Sequence, residues 1–154
     1  MQPKYSLQAS AHRRTEAAIL EGTKSLIARS GIAGLSMIEI ADHSEVSRAT
    51  LYNHYRDKEA VLAALVAAEI ERLAELATTA GTPADALESL SISISSDPAL
   101  AAMRIHDAQV LISAMTNTAS EHYVPIAQII YGATKSQPKN YTKNAGTLMK
   151  LACM

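Results

Sequence analysis

Cysteine is nearly absent from this 154-residue chain, with Cys153 standing alone beside the C-terminus. A lone thiol builds no disulfide framework and no thiolate metal cluster. Long apolar runs are missing too. No stretch approaches the roughly 18 to 20 consecutive apolar residues of a membrane helix, and the opening residues MQPKYSLQASAH lack the charged and then apolar order of a secretion signal. The chain is therefore expected to be cytoplasmic, with no membrane partner. Catalytic signatures are also wanting. No glycine-framed serine of the nucleophile-elbow kind occurs, nor a glycine-rich phosphate loop ending in Lys-Ser or Lys-Thr. His106-Asp107 and Glu121-His122 are neighbours in sequence, whereas two ligands on one helix face stand four apart. We expect no enzyme, no metal and no cofactor.

What is present is enough apolar material for a core, 48% of residues, and an uneven distribution of charge. Residues 1–58 hold eight Lys/Arg against six Asp/Glu, residues 59–134 hold two against nine, and residues 135–154 hold four Lys and no acid. The net charge of −1 thus conceals a basic N-terminal part followed by an acidic middle. One end suits phosphate and the other is kept away from it.

Between Leu35 and Tyr55 the chain reads LSMIEIADHSEVSRATLYNHY, which contains two helix starts eleven residues apart. Ser36 with Glu39 forms a capping box, in which the serine oxygen accepts from the Glu39 N–H and the Glu39 carboxylate reaches back to the Ser36 N–H. Leu35 and Ile40 are spaced as its hydrophobic staple. Ser47 repeats the device, with Val46 and Leu51 as staple and Thr50 as a weaker return partner. About two turns fit before the chain must reverse, so the pair predicts a helix-turn-helix whose second helix is the reader. Its polar face offers Ser47, Arg48, Thr50, Tyr52, Asn53 and His54, donors and planar groups suited to base edges and phosphates. Its inner face offers Val46, Ala49 and Leu51.

The run Ile40-Ala41, Val46-Ser47, Thr50-Leu51-Tyr52, His54-Tyr55 and Lys58-Glu59 resembles the DNA-binding domain of TetR-family bacterial regulators, over about Arg13 to Leu73. All five pieces fit in spacing without a gap. The chain departs from the pattern at Ser44-Glu45, where Ala-Gly is usual, and at Ile27 and Tyr55, where Phe is usual. A Glu held at positive φ there costs on the order of 1 kcal/mol relative to Gly. The resemblance implies an all-α fold in which a three-helix domain is joined by a long helix to a short helical C-terminal domain. It further implies duplex DNA as partner, bound as a homodimer at a near-palindromic operator, and a small-molecule inducer that releases a repressor. The candidate DNA-contacting residues are Ser36, Ser47, Arg48, Ala49, Thr50, Tyr52, Asn53, His54, Tyr55 and Lys58. Arg48 is the candidate base reader and Lys58 the candidate phosphate anchor.

The remaining segments support this domain. Residues 1–12 show no periodicity and read as a flexible arm, with Lys4, Arg13 and Arg14 placed to track a DNA backbone. Residues 13–73 form the DNA-binding domain, opened by a helix striped with Ile19, Leu26 and Ile27 and closed by Gly31. Asp57 caps a long helix, to about Ala80, with a Leu62, Val66, Ile70, Leu73 and Ala77 stripe. Thr82-Pro83 and Asp97-Pro98 open two further helices, the second reaching about Ala114. Ser91 to Ser95 alternates as a strand would, yet an isolated strand leaves its ladder unpaired, so helix is expected. Thr116 to Ser120 reads as a loop and Val124 to Ala133 as a helix. Residues 74–134 thus make a truncated ligand-binding and dimerisation part, with Met103, His106, Gln109, Met115 and Tyr123 as candidate lining for a ligand. The tail, residues 135–154, is basic and irregular, without the two long pairing helices usual in such regulators. The alternative is a truncated relative that does not dimerise normally and acts as a weak DNA binder or as partner of an intact regulator.

Overall fold

The computed structural model of the chain describes residues 4–109 and Ile112, with side chains from Gln8 onward. Six helices follow one another, and among the described residues there is no strand: α1 Lys4–Ser30, α2 Met37–His43, α3 Arg48–His54, α4 Lys58–Thr79, α5 Pro83–Ser95 and α6 Pro98–His106. Each start from α2 onward is written in its cap. The Ser36 and Ser47 hydroxyls accept from the N–H of Glu39 and Thr50 at 3.2 and 3.0 Å. Asp57 accepts from Ala60 at 2.8 Å, Thr82 from Asp85 at 3.2 Å, and Asp97 from both Ala99 and Leu100 at 2.9 and 3.0 Å. The capping box at Ser36 closes differently from expectation, because the Glu39 carboxylate takes the Ser36 hydroxyl at 2.8 Å instead of its N–H.

Three expectations change. Residues 4–12 are not an irregular arm, since α1 begins at Lys4; Ala9, Ala11 and Leu7 favour helix, and no glycine interrupts the run. The helix opened by Asp97 is interrupted after His106, and the end expected for it at Ala114 lies outside the described residues. The interruption has a cause. Asp107 takes φ −131 and ψ 32, and its carboxylate accepts from the Ile32 N–H at 2.7 Å. That bond draws Asp107 out of helical geometry to cover the turn after α1, and helical backbone resumes at Ala108. At that turn Gly31 has φ +73, and a Cβ there would strike the Asp107 carboxylate. The third change concerns the boundary between domains. Ala99 of α6 belongs to the main core, and Met103 packs against it. α6 therefore shares the main core with α1.

That core is built from Ile19, Ile27, Leu35, Ile40, Ala41, Leu51, Tyr55, Val61 and Leu65 together with Ala99. A smaller cluster of Ala86 and Leu90 packs with Leu73, Leu76, Ala77 and Ala80, pinning α5 to the far half of α4. In α5 the alternating serines satisfy carbonyls of their own helix: Ser95 and Ser96 hydroxyls donate to Ser91 and Ile92 carbonyls. Polar groups cross the helix junctions too. The Lys24 ammonium lies 2.7 Å from Glu69 of α4 and 2.8 Å from the buried Asp97, and Glu69 also holds Arg72, which donates to Ser93 of α5. Burial works against both charged forms, but the mutual bonds outweigh it, so Lys24 stays above its ordinary value and Asp97 below.

Candidate nucleic-acid interface

The two short helices α2 and α3 are joined by a turn whose shape the side chains at Ser44 and Glu45 have to accept. Glu45 sits at φ 55, in the left-handed region where an L side chain is strained. Ser44 is buried against α1, where Gly22 leaves room that a Cβ would close. Val46 then returns an N–H to the Ala41 carbonyl at 3.1 Å, and His43 meets Ser25 of α1 at 3.1 Å. α2 is thereby locked onto α1, and α3 leaves it at a fixed angle.

On α3 the inward anchor is Leu51, fully buried, with half-buried Val46 just ahead of the helix. Ser47, Arg48, Tyr52 and Asn53 are exposed, Tyr52 to 55%, while Thr50 and His54 are half-buried at the edge of that face. Ala49 is exposed, contrary to the inward position expected for it, and so joins the outer face as a small residue where another surface can approach closely. Ser36 and Lys58 flank this face, half-buried at the starts of α2 and α4. Lys58 is the first residue of α4, beside N–H groups that favour an anion.

Tyr55 does not belong to the interface. It is 9% exposed in the core, and its hydroxyl donates to Glu16 at 3.2 Å. Burial, together with the Glu16 charge and that bond, pushes its pKa up to about 12. Arg56, between His54 and Lys58 in sequence, is 88% exposed and pairs with Asp57 at 2.8 Å. Of the candidate ligand-lining residues, Met103 is half-buried against the main core, whereas His106 and Gln109 are exposed. Met115 and Tyr123 lie outside the described residues. An open groove of about 530 Å³ between α1 and α2 is lined by Leu26, Arg29, Ser30, Glu39, Asp42 and His43, none of them from that set.

The arrangement, a capped two-turn helix packed on α1 and followed by a second capped helix, coincides with a family match. The family model of bacterial regulatory proteins of the tetR family matches residues 19–65, which take in Ile19 through Leu65 of the core just described. The TetR fold extends beyond them. A crystal structure of a TetR-family transcriptional regulator from Haemophilus influenzae superposes with a TM-score of 0.54 at 14% identity, covering 89% of this chain and 97% of that one. A crystal structure of a gamma-butyrolactone receptor, described as ArpA-like, gives a TM-score of 0.55 at 20% identity over 93% of this chain and 78% of the other. No curated protein matches the chain. The helical fold of the described residues, with its N-terminal helix-turn-helix, is thus that of TetR regulators. Among the described residues no helix is long and apolar enough to cross a membrane.

Proposed function

We propose that the protein is a transcriptional repressor that binds a near-palindromic operator in duplex DNA as a homodimer and leaves it when a small molecule binds among its C-terminal helices. The observation that carries this reading is the outer face of α3, where Arg48, Ala49, Tyr52 and Asn53 are exposed on a helix whose other side is fixed by buried Leu51. A reader of two turns enters a major groove, and two copies then engage half-sites about 34 to 36 Å apart or a multiple of that. Ligand control has support in the likeness to a gamma-butyrolactone receptor, a protein named for a small molecule. With Met103 engaged in the core, His106, Gln109, Met115 and Tyr123 remain as the lining proposed for such a ligand.

Within the interface the roles divide by chemistry. Arg48, first in α3, presents a guanidinium fork to O6 and N7 of guanine, a contact that discriminates by about 1 to 3 kcal/mol. Lys58 anchors a phosphate. In a test on an operator selected from a random pool and on a mixed-sequence duplex, Lys58→Ala weakens both alike and lowers the salt slope by about 0.9 for each protomer bound, about 1.8 for the dimer. Arg48→Ala mainly erases the preference for the selected site. Equal loss of preference from both substitutions overturns the assignment, and a wild-type affinity insensitive to salt overturns the DNA-binding reading itself.

A further inference from the structure

The polar stripe of the reader helix does not end with the helix. Ser47, Thr50 and His54 follow one another at i, i+3 and i+7 and therefore share one side of α3. The first two are joined, oxygen to oxygen, at 2.7 Å. Beyond them the imidazole of His54 is covered by a second imidazole, that of His12 on α1, with ring centroids 4.1 Å apart and planes 18° from parallel. His12 is exposed and His54 half-buried, so His12 is the outer ring of the pair.

α1 is fixed at this place. Glu16, one turn along from His12, accepts from the Tyr55 hydroxyl at 3.2 Å, and Ile19, nearly one further turn on, is fully buried in the core. His12 thus rides on an anchored helix, outside the residues of the family match, at the C-terminal edge of the reader. Stacking occupies the faces of the rings and leaves their edges available. A neutral imidazole carries one N–H donor in either tautomer and an imidazolium carries two. Arg13, exposed, follows on α1, and Arg56, exposed but paired with Asp57 at 2.8 Å, stands two residues past His54, so it is the ring N–H and Arg13 that this edge offers to an anion.

We propose that His12 is a further DNA-contacting residue, whose ring N–H donates to a backbone phosphate flanking the bases read by α3, with His54 as the platform that holds the ring in place. The inference rests on the reading of α3 as a DNA reader. A phosphate is the partner because His12 belongs to the supporting helix, beside the reader and not on the face that meets base edges, and contacts of that kind set register without reading sequence.

The test uses full-length wild type, His12→Ala and His12→Phe, each titrated with a mixed-sequence duplex of about 30 base pairs, with helix content checked by circular dichroism. Loss of one such hydrogen bond weakens binding roughly three- to ten-fold. His12→Phe keeps an aromatic face for His54 but has no N–H, and it is expected to lose as much as His12→Ala. Wild-type affinity in His12→Ala overturns the proposal, and so does wild-type affinity in His12→Phe, which assigns the ring to packing alone. Failure of the wild type to bind the duplex instead overturns the reading of α3, and this proposal with it.

Discussion

Lys24 is the polar hinge pin of three helices, and its removal has a calculable cost. Its ammonium reaches Glu69 at 2.7 Å and Asp97 at 2.8 Å, with side-chain exposures of 21% for Lys24, 30% for Glu69 and 7% for Asp97. Replacing it with Met keeps the aliphatic stem but leaves the Asp97 carboxylate buried without its cation. Breaking a wholly buried pair costs about 3 to 5 kcal/mol. Exposure of Lys24 and Glu69, and the two N–H groups that Asp97 keeps as helix cap, bring the expectation for Lys24→Met to about 2 to 3 kcal/mol. Urea unfolding measures it, as a lower midpoint with an unchanged slope. At about 2 to 4 °C per kcal/mol for a chain of this size, the melting temperature falls by roughly 4 to 12 °C. Asp97→Asn removes the charge but retains a capping oxygen. The double variant Lys24→Met/Asp97→Asn should therefore recover at least about 1 kcal/mol relative to the sum of the single losses. A cost below about 0.5 kcal/mol for Lys24→Met, or strict additivity, refutes the account.

Glu45→Gly, at φ 55, should raise stability by about 1 kcal/mol in the same urea assay, and an unchanged midpoint would show that the turn carries no strain. Stability should also follow pH with a definite sign. Asp97 titrates below its ordinary value in the fold, so its contribution is present above the ordinary carboxylate range and is lost as pH falls through the lower folded value. Lys24 and Tyr55 titrate above 10.5 and 10.0, so theirs are present below those values and are lost as pH rises through the raised ones, about 12 for Tyr55. Lys24→Met should flatten the acid limb and part of the alkaline one; unaltered limbs would refute the linkage.

The caps were readable because each is a local event: a Ser, Thr or Asp three or fewer residues from the N–H it accepts identifies itself. Glu45 was readable for the same reason, since a turn that usually holds Gly imposes its φ on whatever stands there. Other features depend on residues far apart in the chain. Tyr55 reads as a polar residue in a DNA-facing motif until Glu16, 39 positions away, is seen to take its hydroxyl. Asp107 looks like one more residue of an Ala-rich helix until Ile32, 75 positions away, claims its carboxylate. The apolar character of Ala49 places it inward, but Leu51 and Val46 already supply the anchor of so short a helix, and the small residue falls outside, as its place among the candidate DNA contacts requires. In α1 the lack of a clear apolar stripe before Arg13 suggested an arm, whereas helix propensity and the His12–His54 stack accompany a continuous helix.

The packing of α6 under α1 bears on how the protein is made. A chain is made from its N-terminus, so α1 to α4 are synthesised before Ala99, Met103 and Asp107. At roughly 5 to 20 residues per second, the 75 positions between Ile32 and its Asp107 partner take roughly 4 to 15 s to translate. Through that interval the underside of α1 is open and the turn after Gly31 lacks its carboxylate. A fragment ending at Leu73 should accordingly be less stable to urea than one ending at Gln109, by more than about 2 kcal/mol, since it lacks the burial of Ala99 and Met103 together with the Lys24–Asp97 pair and the Asp107 bond to Ile32; equal midpoints would contradict this. The helix-turn-helix is thus completed late in synthesis, once a segment made some seventy positions after α1 has slid beneath it.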